Sequence, residues 1–347
     1  MCGKLMKNYT IWLLLAVVIL TACDKVSPAG VLIANTDVDD RIKMSRDYYR
    51  LHEKDLFLFK QAPDGEYTFL VGADSHLTTD PGRMREMLQI GIDDDDLFYA
   101  HLGDIADTKA EYYINLDNVI TEAKEKYAQK HYETVSYMDD YDVTHTLYLD
   151  TINGKVYEAK DVPLPFHPVV GNHDITNNGW AMWTNLFHAS FYMGYVIVRN
   201  EDEGINYYDR LIFLDSASGT LGEEQIDQIE SHFVDSYEQQ NLGIKIRHTF
   251  IFGHTNIFRP SASEFASTFT REETYYLLNK FEQWNASIVF TGHVHAWDER
   301  EVGGITYLTL DAMAESNNPQ PGDYLVRVHV KRDGSLSWKR VRMNYTP

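Results

Sequence analysis

The sequence predicts an α/β protein, and three observations predict it. From Glu66 onward, short apolar runs alternate with amphipathic stretches. The runs are brief and rich in β-branched and aromatic residues, which favours strands over buried helices. Six of them end in polar loops carrying Gly, Asp, Asn, Ser or His, and open α/β sheets bind their ligands at such strand ends. A chain of 347 residues with 44% apolar and 24% charged residues has the composition of a folded domain. That composition excludes a disordered chain, a collagen and a coiled-coil rod.

Residues 1–22 stand apart from the fold. Lys4 and Lys7 form a positive head, and Ile11 to Leu20 is an unbroken apolar run. Ten residues are too few for a bilayer-spanning helix, which needs about 20, but they suit the hydrophobic stretch of a secretory signal. Leu20-Thr21-Ala22-Cys23 follows and resembles the lipobox of bacterial lipoproteins. The resemblance implies cleavage before Cys23, lipidation of that cysteine, and a chain anchored in the bacterial cell envelope. Residues 23–30 read as the lipidated cysteine and a tether. Residues 31–65 carry Leu32-Ile33, Tyr48-Tyr49 and Leu56 to Phe59, too apolar for a solvated linker, so they are expected to pack on the main domain.

The domain itself spans residues 66–347. Tyr67 to Val71, Asp96 to Leu102, Val169-Val170, Leu211 to Leu214, His248 to Phe252 and Ser287 to Phe290 read as strands. Gly222 to Phe233 has Ile226, Ile229 and Phe233 at helical spacing with acids in its first turn. Arg271 to Trp284 reads the same way. The stretch of about 109–165 is an insertion: a polar helix from Lys109 to His131, then a hairpin from Thr146 to Tyr157 turning at Asn153-Gly154. It is expected to lie beside the site as a lid. Gly304 to Leu310 and Tyr324 to Val330 complete the chain as strands.

Charge and cysteine content narrow the function. Lys plus Arg number 31 against 52 Asp plus Glu, a net charge of −21 that disfavours binding to a phosphate backbone. Two cysteines, Cys2 and Cys23, exclude a disulfide scaffold and a four-thiolate zinc site. Cleavage would remove Cys2 with the signal and lipid would consume Cys23, so thiol chemistry is excluded as well. Fourteen histidines leave a nitrogen and oxygen metal site open. Five strand ends deliver such ligands: Asp74 and His76, Asp104, Asn172, His254, then His293 and His295. The set suits Mn, Fe or Zn.

These blocks read, in order, Asp74-Ser75-His76, Gly103-Asp104-Ile105-Ala106-Asp107, Gly171-Asn172-His173-Asp174, Gly253-His254 and Gly292-His293-Val294-His295. Together they resemble the calcineurin-like metallophosphoesterase family over about residues 66–330. A single block is weak, and five in order are strong. The resemblance implies two mixed β-sheets packed as a sandwich flanked by helices, in a single catalytic domain. It implies a dimetal centre with Asp74, His76 and His295 on one cation, Asn172, His254 and His293 on the other, and Asp104 bridging. It further implies metal-dependent hydrolysis of small phosphorylated substrates by a dimetal-bound hydroxide attacking phosphorus directly. His173 would serve the leaving oxygen, and Asp174 would orient it. Asp107 reads as positioning its loop rather than binding metal. Monoester or diester, nucleotide or lipid headgroup, stays open, as does a non-catalytic metal-binding lipoprotein. Family members often continue the fourth block with His and Pro, whereas Thr255-Asn256 stand here.

Other features have bland readings. The remaining nine histidines are expected at the surface or hydrogen-bonded in the core, with His101 and His188 nearest the motif loops. Asp215-Ser216 ends a strand without a nucleophile elbow. Asp93 to Asp96 reads as a solvated turn. Trp180, Trp183, Phe187, Phe191 and Tyr192 read as core, with a substrate wall as the alternative.

Overall fold

A computed structural model describes residues 38–51, 57–62, 64–107, 109–200, 205–230, 245–258, 268–313 and 324–344. The signal, Cys23, the tether, His52, His232 and Phe233 lie outside the described residues. No described helix is long and apolar enough to cross a membrane.

Two mixed sheets form the centre. The larger has seven strands: β1 (Phe57–Ala62), β8 (Tyr192–Asn200), β9 (Ile205–Phe213), β10 (Lys245–Phe252), β11 (Ile288–Thr291), β13 (Ile305–Thr309) and β12 (Asp298–Val302), in that spatial order. Strands β9, β10, β11 and β13 run parallel. The smaller sheet orders β15 (Leu336–Arg342), β14 (Tyr324–Val330), β2 (Tyr67–Gly72), β3 (Tyr99–His101) and β7 (Phe166–Pro168), with β2, β3 and β7 parallel.

Alternation explains the layering. In β2, Phe69 and Val71 face the other sheet, while Leu70 faces outward onto helices. The inner layer is aromatic. Phe69 stacks on Phe98 at 4.6 Å and meets Phe250 of the opposite sheet edge-on at 5.2 Å, and Phe213, Phe252 and Phe290 stack in series. Helix α2 (Gly82–Asp93), α3 (Ala110–His131) and α5 (Gly179–Phe187) cover the smaller sheet. Helix α1 (Val38–Leu51), α6 (Gly222–Ile229) and α7 (Arg271–Gln283) cover the larger one. The four-residue α4 (Asn172–Ile175) lies at the site.

Several boundaries differ from the sequence reading. The second strand is only Tyr99–His101, and the third lies at Phe166–Pro168, ahead of Val169-Val170. The fourth is the end of the longer β9, paired antiparallel with β8, which patterning alone did not reveal. Within the insertion, β5 (Thr144–Asp150) and β6 (Lys155–Tyr157) form the expected hairpin, and β4 (Glu133–Met138) adds an edge strand. This small sheet packs through Tyr148 on Ala128 and Tyr127, near the far end of α3. At 1.5 Å per residue, Ala128 is about 22 Å along the helix from Tyr113, the residue nearest the site. The hairpin end of the insertion therefore lies away from the site, while the start of α3 reaches it through Tyr113.

The core holds two histidines with unusual surroundings. His101 is wholly buried and neither ring nitrogen has a hydrogen-bond partner among the described residues. His167 sits between Phe98, Tyr192 and Phe213 with Nε2 likewise unpartnered. These two correct the expectation of hydrogen-bonded core histidines. Burial pushes His101 down to about 3 and His167 well below its usual value. Both stay neutral when folded, whereas the unfolded chain binds protons below about 6.5. Their stabilising effect is complete above that pH and is lost as pH falls toward the folded values. Each should contribute a slope of about 1.4 kcal/mol per pH unit. Denaturant titration from pH 7.5 to 5 should show His167→Phe with a shallower loss than wild type, and equal slopes would refute the assignment.

Candidate metal centre

The site lies where parallel strands of both sheets end. Loops after β2, β3 and β7 come from the smaller sheet, and loops after β10 and β11 from the larger. Pairing continues past the strands: the N–H groups of Asp74, His76 and Leu77 donate to the carbonyls of Gly103, Asp104 and Ile105. Five of the chemistry-bearing residues adopt left-handed backbone: Asp74, His76, Asp104, His293 and His295, with φ between 40° and 71°. Such conformations cost of order 1–3 kcal/mol each and gather at functional sites. Glycines allow the loops to touch. A Cβ on Gly103 would lie 2.7 Å from Gly171 N and 2.8 Å from His254 Nδ1.

The side chains converge into two sets. Asp74, His76 and His295 form one, and Asp104, His254 and His293 the other, with ligand atoms of each set within 4.8 Å of one another; a further such group joins His76 to Asp107 and His173. His76 Nε2 is 3.2 Å from His295 Nε2, which is 3.5 Å from Asp74 Oδ1. In the second set, His254 Nε2 is 2.9 Å from Asn172 Oδ1 and 3.1 Å from His293 Nδ1. Asp104 Oδ2 lies between the sets, 3.5 Å from His254 Nε2 and 3.8 Å from His76 Nε2.

This arrangement fits cations. Donor atoms about 2.1 Å from one ion stand roughly 3.0–3.4 Å apart, close to the spacings here. Asp74 Oδ1 is fully buried with no hydrogen-bond partner among the described residues, while Oδ2 accepts from His293 N at 2.9 Å. The ring tautomers also suit ligation. His254 Nδ1 faces the Leu102 carbonyl at 2.8 Å and His76 Nδ1 faces Asp107 Oδ1 at 3.3 Å, which turns both Nε2 atoms toward the centre.

Electrostatics follow from this crowding. Burial favours neutral forms, yet His295, His254 and His76 hold the Asp74 carboxyl well below the usual range. Burial opposes protonation of His76 too, but Asp107, Asp104 and Asp74 outweigh it and raise the ring to about 9. The hydrogen bond from His76 lowers Asp107.

Two expected roles change places. Asp174 does not reach the His173 ring. Its buried carboxylate accepts from the N–H groups of Gly171, Ile105 and Ala106 and from the Tyr113 hydroxyl, pinning two ligand loops to α3. Burial and the Asp104 charge push it up to about 7. Asp107 instead meets His173, with Oδ1 3.3 Å from Nδ1. The His173 ring is half exposed at the mouth of the site, and its backbone N–H donates to Asp104 Oδ1 at 2.7 Å.

The other candidates are structural. His188 stacks on Tyr48 at 4.5 Å and joins neither ligand set. Trp180, Trp183, Phe191 and Tyr192 are buried in the core. Asp96 is buried rather than solvated, because the Arg327 guanidinium grips its carboxylate. Asp215 and Ser216 are buried; Ser216 Oγ accepts from the N–H groups of His254 and Thr255. Sequence reading missed Tyr113 and Ser216, which touch ligand loops only in three dimensions. In the departure after the fourth block, Asn256 hydrogen-bonds Thr309 Oγ1 and Phe258 N, fixing the loop.

The layered architecture and the ordered strand-end blocks are those that the metallophosphoesterase resemblance implied. No family model and no curated protein matches the sequence. Among solved structures, the chain is similar to the anchor protein of the inner membrane complex of Plasmodium, at 12% identity and a TM-score of 0.46, covering 80% of this chain and 84% of that one. It is similar to a dimetal phosphatase from Danio rerio, at 12% identity and a TM-score of 0.42, covering 76% and 95%. An archaeal phosphodiesterase shares 8% identity at a TM-score of 0.34, covering 79% and 99%. With these scores below 0.5, the functional reading rests on the chain's own side chains.

Proposed function

We propose that the chain is a metal-dependent phosphoester hydrolase. Asp74, His76 and His295 would hold one cation, Asn172, His254 and His293 a second, and Asp104 would be shared between them. The observation that carries this reading is Asp104 Oδ2, set between the two ligand sets at 3.5 Å from His254 Nε2 and 3.8 Å from His76 Nε2. The donor set, free of sulfur, favours Mn, Fe or Zn. Such cations lower the pKa of bound water and neutralise phosphoryl charge.

The chain's own groups supply the rest. Asp107 holds the His76 ring with Nδ1 turned away from the centre, and Leu102 does the same for His254. His173, with Nδ1 toward Asp107, presents Nε2 at the mouth, where it can pass a proton to a leaving oxygen. Replacing His173 by Asn is expected to leave metal content unchanged and to slow turnover about 10²–10⁴-fold for poor leaving groups, and far less for nitrophenyl esters. Equal slowing across a leaving-group series would remove its acid role.

The function is tested by a panel of phosphomonoesters and phosphodiesters, nucleotides and lipid headgroups included, with chelator-treated enzyme reloaded with Mn²⁺. Turnover restored by metal supports hydrolysis and selects monoester or diester. Full metal loading without turnover on any member supports the non-catalytic alternative.

Export and lipid anchorage through Cys23 belong to the same proposal, supported by the lysine head, apolar run and lipobox resemblance. In a bacterial host the full chain should partition into detergent phase, and Cys23→Ser should move it to the aqueous phase. Detergent partition of both forms would overturn lipidation at Cys23.

A further inference from the structure

Helix α1 lies outside the motif blocks, yet a wholly buried ion pair fastens it to the end of β9. Arg41 Nε donates to Asp215 Oδ2 at 2.8 Å and Nη2 to Oδ1 at 2.9 Å, with both side chains inaccessible to solvent. Nη2 also donates to Ser218 Oγ at 3.0 Å. From the other side, Gln225 on α6 accepts from Asp215 N and donates to Asp215 O, each at 2.9 Å. The short loop after β9 is thus clamped between α1 and α6.

Ser216 is the next residue. Its Oγ accepts from His254 N at 2.9 Å and Thr255 N at 3.0 Å, while its carbonyl accepts from Thr255 Oγ1. The His254 loop therefore hangs from Ser216 by its backbone. Two such bonds fix where the imidazole starts, and Leu102 O fixes where it points. Burial of both Arg41 and Asp215 carries a desolvation cost that apolar residues of the same volume would avoid. A bidentate fork, by contrast, defines a position as an apolar contact does not.

We propose that Ser216, held by the Arg41–Asp215 clasp, is a positioning residue for His254. Helix α1 thereby sets the geometry of the half-site formed with Asn172 and His293. The inference rests on the metal-centre reading above and extends it to residues that touch no cation. His254 is the ligand whose loop Ser216 holds directly; Asp74 and His76 hang from the loop after β2, and His295 is reached only through Gly292 N on the His254 carbonyl.

The test is calorimetric titration of Mn²⁺ into chelator-treated full-length protein. In a His76→Ala background, which leaves the His254 half-site intact, adding Ser216→Ala should weaken Mn²⁺ binding about 10–100-fold, the range for partners that orient a ligand. In an Asn172→Ala background, Ser216→Ala should change the remaining site far less, since Ser216 touches none of Asp74, His76 and His295. Ser216→Thr, which keeps the hydroxyl, should restore the affinity in the His76→Ala background. Arg41→Lys, which keeps the charge without the fork, should weaken the same half-site in the same direction. Thermal unfolding of the metal-free variants reports the fold separately. Equal Mn²⁺ affinity with and without Ser216→Ala in the His76→Ala background would overturn this inference alone. Equal weakening in both backgrounds would also overturn it, as a general structural effect. Wild-type protein that takes up no Mn²⁺ would overturn the metal-centre reading and this inference with it.

Discussion

Asp104→Asn is expected to fall about a thousandfold or more in kcat while keeping its fold. The change is isosteric, and the retained Oδ1 still accepts from His173 N. What disappears is the negative charge set between the two ligand sets, 3.5 Å from His254 Nε2 and 3.8 Å from His76 Nε2. Charge stabilisation at such centres is worth several kcal/mol, and each 1.36 kcal/mol is tenfold in rate. Two neighbouring cations also repel when no anion is shared, so metal content should drop from about two per chain toward one. Elemental analysis beside an aryl phosphate assay reads both effects. Full metal occupancy with unimpaired hydrolysis would remove the bridging role.

Gly171→Ala should be nearly as severe, though it adds only one uncharged methyl group. The added Cβ would meet the Asp104 backbone N and Oδ1 at separations that no real Cβ shows. Two ligand loops touch there, and neither can yield without moving Asp104. Displacement near 1 Å costs about a hundredfold in rate, and overpacking costs about 1–3 kcal/mol in stability. Gly154→Ala is the matched control. That glycine, with φ of 64°, turns the β5–β6 hairpin, and nothing lies within 4 Å of its added Cβ. It should cost roughly 1–2 kcal/mol for the left-handed backbone and leave activity intact. Similar activity in the two variants would mean that the loop contact does not define the centre.

The sequence made the site more legible than its support. Asp74, His76, Asp104, Asn172, His254, His293 and His295 each follow an apolar run, so a local pattern located them, and the fold brings all seven together. Strand β8 was hidden because Tyr192 to Asn200 mixes aromatic and aliphatic residues without clean alternation. Asp174 and Asp107 exchanged roles for a reason that spacing cannot express. Asp174 turns inward beneath three backbone N–H groups and Tyr113, some sixty residues away in sequence, while Asp107 reaches across to His173. Ser216 was legible only as a strand end, and Arg41 only as part of a segment expected to pack on the domain. Only the packing of α1 against the β9 loop gives them partners 174 and 38 residues away.

The left-handed backbone at five of the ligand positions has an evolutionary corollary. Ordinary selection for robustness would discard those side chains, since glycine relaxes each such turn without steric penalty. Their presence therefore sets heat tolerance against chemistry. A descendant freed from its reaction should drift toward glycine at Asp74, His76, Asp104, His293 and His295 and become hardier as it does so.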